Sequence, residues 1–201
     1  MIAIIDYDAG NIKSVEKALE SLGADIVLTN DRETLLKADK VILPGVGAFG
    51  DAMEKLEKYA LVDVIHEIVD KKTPFLGICL GMQLLFDSSE EAPGVKGLGI
   101  LPGRIVRFDE SNGLKIPQIG WNALKMPNRG RLFEGLSEGA FVYFVHSYYL
   151  KADNASDVVA TAEYGNLVHA AVERDNVFGC QFHPEKSSDV GLRILKNFVE
   201  M

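Results

Sequence analysis

Four apolar residues, Phe75–Ile78, run into a helix-patterned segment, residues 82–86, through a turn of only Cys79, Leu80 and Gly81. A buried strand followed so closely by a helix requires a βα unit. Glycine stands two residues to either side of the cysteine, in Gly77-Ile78-Cys79-Leu80-Gly81. This is the thiol form of the G-x-S-x-G nucleophile elbow. A sharp turn holds one side chain clear of the sheet, and glycines remove the Cβ atoms that would crowd it. The start of the helix then offers unpaired N–H groups and a partial positive charge, which favour a thiolate and can hold an oxyanion. The same pattern also describes a buried structural cysteine at a βα turn.

The rest of the first half repeats the βα rhythm. Strands are expected at residues 2–6, 25–28 and 41–43. Helices are expected at 11–22, ended by Gly23, just after Asp31, and over 51–70 with a break near Tyr59. The alternation predicts a sheet with helices on both faces and a site at the carboxyl ends of its strands. From residue 98 onward, short strand-like runs follow one another between Gly, Asn and Pro turns. Runs at 105–108, 121–124, 141–149, 157–162, 170–173 and 177–182 read as mainly antiparallel, and 190–199 as a final helix. The expected fold is therefore α/β, a three-layer sandwich around a central mixed, mostly parallel sheet. With no repeats or long linkers, residues 1–201 read as one domain.

Composition narrows the function. The chain carries 21 basic and 29 acidic residues, a net charge of −8. That argues against nucleic acid as a standing partner, because backbone binding needs a basic surface. No apolar run is long enough to span a membrane, and the N-terminus reads as a first strand rather than a leader. Two cysteines without a disulfide frame suit a reducing cytoplasm. His66, His146, His169 and His183 are scattered and no C-x-x-C occurs, so no metal site is expected.

A second segment, Gly179-Cys180-Gln181-Phe182-His183-Pro184-Glu185, supplies what a nucleophilic thiol needs: a base, and an acceptor that orients the base. Glu185 can orient His183 only if the chain turns at Pro184. Cys180 is the rival nucleophile, but strand parity opposes it. Residues 181 and 183 share one face and 180 and 182 the other, so a chain that turns His183 to the site turns Cys180 into packing. Gly45-Val46-Gly47-Ala48-Phe49-Gly50 matches G-x-G-x-x-G, yet it follows the third strand rather than the first, and the downstream acids Glu67 and Asp70 lie on a helix. Nucleotide binding is therefore disfavoured. Ser88-Ser89-Glu90-Glu91 reads as a solvated run or a cap.

Taken together, Leu43-Pro44-Gly45-Val46-Gly47, Gly77-Ile78-Cys79-Leu80-Gly81-Met82-Gln83 and Gln181-Phe182-His183-Pro184-Glu185 resemble the class I glutamine amidotransferases, and the resemblance runs the length of the chain. The segments Pro117-Gln118-Ile119-Gly120-Trp121-Asn122, Tyr143-Phe144-Val145-His146-Ser147-Tyr148 and His183-Pro184-Glu185-Lys186-Ser187 point to the branch that serves imidazole glycerol phosphate synthase. The resemblance implies a flavodoxin-like fold and a Cys79–His183–Glu185 triad. It implies an oxyanion hole made by the Val46 and Leu80 N–H groups, on a glycine-flanked strand whose peptide can flip. It places the glutamine substrate against Gly47, Gln83, Ser147 and Tyr148, and requires no cofactor. His146 reads as a polar wall of that cleft or an interface group. Trp121, Tyr143 and Lys186 are implied at a partner interface, although a core position is the default for a lone tryptophan.

Nothing in the pattern would consume the ammonia that glutamine releases, so the resemblance further implies a separate synthase subunit, a (βα)₈-barrel cyclase of histidine biosynthesis, paired as a heterodimer. Three other readings stay open: a glutaminase for anthranilate, pyridoxal phosphate or purine synthesis, a free cysteine hydrolase, and a non-catalytic module.

Overall fold

The structure is a computed structural model that describes residues 1–109 and 113–201. Its centre is a seven-stranded sheet. In chain order the strands are β1 (Ile2–Ile5), β2 (Ile26–Thr29), β3 (Lys40–Leu43), β4 (Phe75–Ile78), β10 (Val158–Glu163), β11 (Leu167–Arg174) and β12 (Val177–Cys180), arranged β10-β11-β12-β4-β3-β1-β2. The five from β12 to β2 run parallel, while β11 and β10 are antiparallel additions at one edge. The sheet is thus mixed and mostly parallel, as expected.

Helices cover both faces because strand residues point alternately to each side. Ile2, Ile4, Ile42, Leu76, Ile78, Phe178 and Cys180 pack with α1 (Ile12–Ser21) and α6 (Ser188–Glu200). Ala3, Ile5, Val41, Leu43 and Phe75 pack on the other side with α2 (Arg32–Lys37), α3 (Phe49–Lys58), α4 (Leu61–Asp70) and α5 (Leu80–Leu84). The break near Tyr59 is real: Ala60 adopts φ 53° between α3 and α4. Two smaller sheets close the flanks. One joins β5 (Ser88–Ser89), β6 (Gly103–Arg107) and β9 (Tyr148–Ala152); the other is the antiparallel ribbon of β7 (Gln118–Ala123) and β8 (Phe141–His146).

Several boundaries differ from the sequence reading. The run 141–149 divides at Ser147, because β8 pairs with β7 whereas β9 leaves to pair with β6. Gly50 belongs to α3 rather than to the preceding loop, and α5 begins at Leu80, directly after Cys79. Strand β12 ends at Cys180, before Gln181 and Phe182. It also pairs parallel with β4 on one side, so it is not purely antiparallel. Ser88–Glu91 is not simply solvated: Ser89 is buried and the segment pairs with β6.

Candidate active site

Three neighbouring strands end beneath one cavity of about 290 Å³ lined by Val46, Gly47, Cys79, Leu80, Gln83, Glu91, Pro117, Val145, His146, Ser147, Tyr148 and His183. These are β3, β4 and β12, and the cavity opens at their carboxyl ends, where open α/β sheets place their ligands. A second depression of about 280 Å³, lined by Met126, Phe133, Leu136 and their neighbours, holds none of the expected residues.

Cys79 occupies the turn between β4 and α5 with φ 54° and ψ −111°. Such a backbone conformation is strained for a residue with a Cβ and persists only where surrounding structure enforces it. Here the two glycines allow it. A Cβ on Gly81 would lie 1.8 Å from the Leu43 carbonyl oxygen, and one on Gly77 would lie 2.7 Å from the Gly81 carbonyl oxygen. The elbow is therefore wedged between β3 and its own helix with no space for a methyl group. The Cys79 N–H donates to the Cys180 carbonyl at 2.7 Å, which fixes the exit of β12 beside the thiol.

That exit carries the next two groups. The Gln181 side chain reaches Cys79 Sγ with its amide Nε2 at 3.7 Å, and its Oε1 accepts from Gln83 Nε2 at 2.9 Å. Two residues on, His183 Nδ1 donates to Glu185 Oε1 at 2.7 Å, with both side chains buried. The short 3₁₀ turn Pro184–Lys186 is what brings the carboxylate back. Burial by itself would lower the His183 pKa, but Cys79 and then Glu185 outweigh it and push it up to about 9. His183 Nε2 has no hydrogen-bond partner among the described residues, which leaves it available on the Cys79 side. Cys180 behaves as parity requires. It is fully buried among the core residues that include Phe178 and Phe182, and burial raises its thiol pKa well above the usual range.

The segment Pro44–Gly47, which continues beyond the end of β3 and is not itself a strand, runs alongside the elbow. The Gly45 carbonyl accepts the Leu80 N–H at 3.3 Å. In a trans peptide the C=O and N–H point opposite ways, so the Val46 N–H is directed away from Leu80. Tyr7 anchors this segment, its buried hydroxyl donating to the Pro44 carbonyl at 2.8 Å.

Gln83 is buried one helical turn after Cys79 and also donates to the Tyr148 carbonyl at 3.1 Å. That carbonyl accepts from His146 Nδ1 as well, at 2.8 Å, while His146 Nε2 lies 3.0 Å from the Gln118 amide. Burial lowers the His146 pKa to about 4, so its ring is neutral at physiological pH. It lines the cleft with both ring nitrogens hydrogen-bonded. Trp121 is about half exposed, with Ile119 and Phe141, on the outer face of the β7–β8 ribbon, where it stands opposite Tyr143. A core position for this tryptophan is excluded. Lys186 is exposed beside the His183 turn.

Sequence reasoning missed four neighbours. Asn11, in the left-handed region at φ 67°, donates from Nδ2 to Glu185 Oε1 at 2.9 Å. Glu91 lines the cavity and accepts the Phe49 N–H at 2.9 Å. Gln181 and Tyr7 are the other two. The only available signals were the Asn11-Ile12 helix start and the position of Gln181 on the same strand face as His183.

A mixed, mostly parallel α/β sheet with a strained cysteine elbow next to a histidine–carboxylate pair defines a class, and the comparisons agree: the glutamine amidotransferase class-I family model matches residues 3–201, and the chain belongs to that family. Among its relatives, the imidazole glycerol phosphate synthase subunit HisH of Methanocaldococcus jannaschii is 50% identical over 201 residues, with all of both chains covered. The protein of the same name from Bacillus cereus is 54% identical over 199 residues, covering 98% of this chain and 93% of that one. The fold is shared with a solved glutamine amidotransferase at TM-score 0.78 and 21% identity, covering 100% of this chain and 98% of that one. It is also shared with PurLQS from Thermotoga maritima at TM-score 0.75 and 21% identity, covering 99% and 97%.

Proposed function

We propose that this chain is the glutaminase subunit of imidazole glycerol phosphate synthase. It hydrolyses L-glutamine to glutamate and ammonia and hands the ammonia to a cyclase subunit in histidine biosynthesis. The choice of synthase rests on identity near one half to HisH proteins along the whole chain. The chemistry rests on one observation above all: Cys79, His183 and Gln83 face a single cavity, with His183 held to Glu185 at 2.7 Å.

In this reading the Cys79 thiolate attacks the side-chain amide carbon of glutamine. The carbonyl π electrons move to oxygen, and the Val46 and Leu80 N–H groups hold that oxyanion. The tetrahedral adduct then collapses. The C–N bond breaks, the imidazolium of His183 gives its proton to the departing nitrogen, and ammonia leaves behind a γ-glutamyl thioester on Cys79. Water, deprotonated by His183, attacks the thioester and releases glutamate and the thiolate. Glu185, held in turn by Asn11, fixes the tautomer and charge of His183 throughout. Gly47, Gln83, Ser147 and Tyr148 bind the substrate, and the Glu91 carboxylate at the cavity wall suits its α-ammonium group.

In this reading the segment Pro44–Gly47 is at rest, because the Gly45 carbonyl occupies the Leu80 N–H. Rotating the Gly45–Val46 peptide would withdraw the carbonyl that occupies the Leu80 N–H and turn the Val46 N–H inward, completing both donors in one movement. The cyclase is the agent we assign to that rotation. It is a (βα)₈ barrel that docks on Trp121, Tyr143 and Lys186, as a cytoplasmic heterodimer with this single glutaminase domain of residues 1–201. The exposed Ile119, Trp121 and Phe141 support a docking face there. Among the described residues no helix is long and apolar enough to cross a membrane. Reconstitution tests the whole reading. Glutamine-dependent synthesis of imidazole glycerol phosphate should appear only when this chain and the cyclase are mixed. Equal or greater activity with an anthranilate, pyridoxal phosphate or purine synthase would reassign the chain.

A further inference from the structure

Ser187 holds an unusual place. It stands at the N-cap of α6, directly after the turn that carries His183 and Glu185. A serine there normally turns its hydroxyl onto a free N–H of the helix's first turn. The Ser187 side chain makes no such bond. Instead it is fully buried; its Oγ donates to the His183 carbonyl at 2.7 Å and accepts the Tyr143 N–H at 2.9 Å. The His183 N–H in turn donates to the Tyr143 carbonyl at 3.0 Å. Both backbone polar groups of His183 are therefore tied to one residue of β8, the N–H directly and the carbonyl through a hydroxyl. No other side-chain group among the described residues bridges the two segments this way in the bonds around His183.

We infer that Ser187 is a positioning residue. It sets the backbone of His183, and so the reach of its imidazole toward Cys79, and it takes its reference from β8, whose Tyr143 side chain lies on the exposed ribbon face beside Trp121. The diversion of a capping hydroxyl is the physical argument. Helix α6 forgoes its own cap, and the bond goes to the one backbone segment whose placement decides whether an imidazole meets a thiol. A displacement of β8 at its outer face would thereby be transmitted to His183 through three hydrogen bonds, one direct and two by way of the Ser187 hydroxyl. The inference rests on the reading of Cys79 and His183 as a thiolate–imidazolium pair.

The test follows the reactivity of Cys79 toward iodoacetamide against pH in the isolated chain, read by mass on the peptide that contains Cys79, so that no glutaminase activity is required. His183→Ala should displace the profile to higher pH. Ser187→Ala should move it in the same direction, with the rate at neutral pH lower by about three- to tenfold, the worth of one hydrogen bond. Ser187→Cys, which fills the same space with a weaker donor, should fall between, and it carries the test if the alanine variant shows no cooperative thermal unfolding. A serine with a merely structural role would lower the melting temperature and leave the profile in place. Superposition of the folded Ser187 variants on wild type, with His183→Ala displaced, would overturn this inference alone. An unmoved His183→Ala profile would overturn the thiolate–imidazolium reading and this inference with it.

Discussion

Replacing Val46 by proline removes one N–H beside Cys79. In the resting arrangement that N–H points away and the Leu80 N–H is engaged by Gly45 at 3.3 Å, so neither proposed donor is free for an oxyanion. One oxyanion donor is worth about 10²–10³ in turnover. The isolated chain, lacking both, should hydrolyse glutamine at least about a hundredfold more slowly than the chain held by a ligand-bound cyclase. The proline variant can regain Leu80 but never Val46. Its turnover in the complex should therefore fall by about 10²–10³, with KM little changed because the lost contact forms only in the transition state. The assay is steady-state glutamate release with and without the cyclase. Val46→Ala serves as the control that keeps the N–H, and ammonium-driven synthesis reports that the complex has assembled. A proline variant that binds its partner and is stimulated as strongly as wild type would refute the peptide rotation. An isolated wild-type chain running at full speed would refute the coupling as well.

Three further outcomes are expected. His183→Ala should cut glutamine turnover about 10²–10⁴-fold in the complex, and Glu185→Gln less, because the carboxylate orients and stabilises the imidazolium without itself carrying the proton; a larger loss at Glu185 would reverse those roles. Cys180→Ser should keep most of the activity, and a loss equal to that of Cys79→Ala would overturn the parity argument. His146, whose pKa is lowered by burial to about 4, stays neutral in the native state while the unfolded chain takes up a proton below about pH 6.5. Its contribution to stability is therefore complete above that pH and is lost as pH falls toward 4, by up to about 3 kcal/mol. Denaturant unfolding of wild type and His146→Gln across that window should show the difference shrinking to nothing in the variant.

What the sequence disclosed, and what it withheld, divides by the range of the interactions. The elbow was legible because the residues that mark it, Gly77, Cys79 and Gly81, lie within two positions of the cysteine, although the Leu43 carbonyl that Gly81 makes room for lies across the sheet. Cys180 is buried as strand parity expects, but β12 ends there, so Gln181 and His183 reach the site from beyond the strand and not by its alternation. The break between α3 and α4 was legible near Tyr59, although the left-handed residue proved to be Ala60. Contacts made across the sheet were not legible. Asn11 meets Glu185 across 174 residues, and Gln83 meets Gln181 across 98. No periodicity encodes such pairings; they follow from β1, β4 and β12 ending at the same edge. The division of 141–149 at Ser147 was hidden for a similar reason. The run is aromatic and β-prone on either side of His146-Ser147, and only its two different partners, β7 and β6, reveal that it serves two sheets. Trp121 shows the limit of composition, since an apolar aromatic reads as core until the ribbon's outer face is seen.

The central claim is that Cys79 performs chemistry on glutamine and on nothing else in the synthase. The most direct measurement is Cys79→Ala in the assembled complex, assayed once with glutamine and once with ammonium salt as the nitrogen source. The account predicts that glutamine hydrolysis and glutamine-dependent synthesis disappear while ammonium-dependent synthesis continues at the wild-type rate. Glutamine hydrolysis that survives the substitution would contradict it.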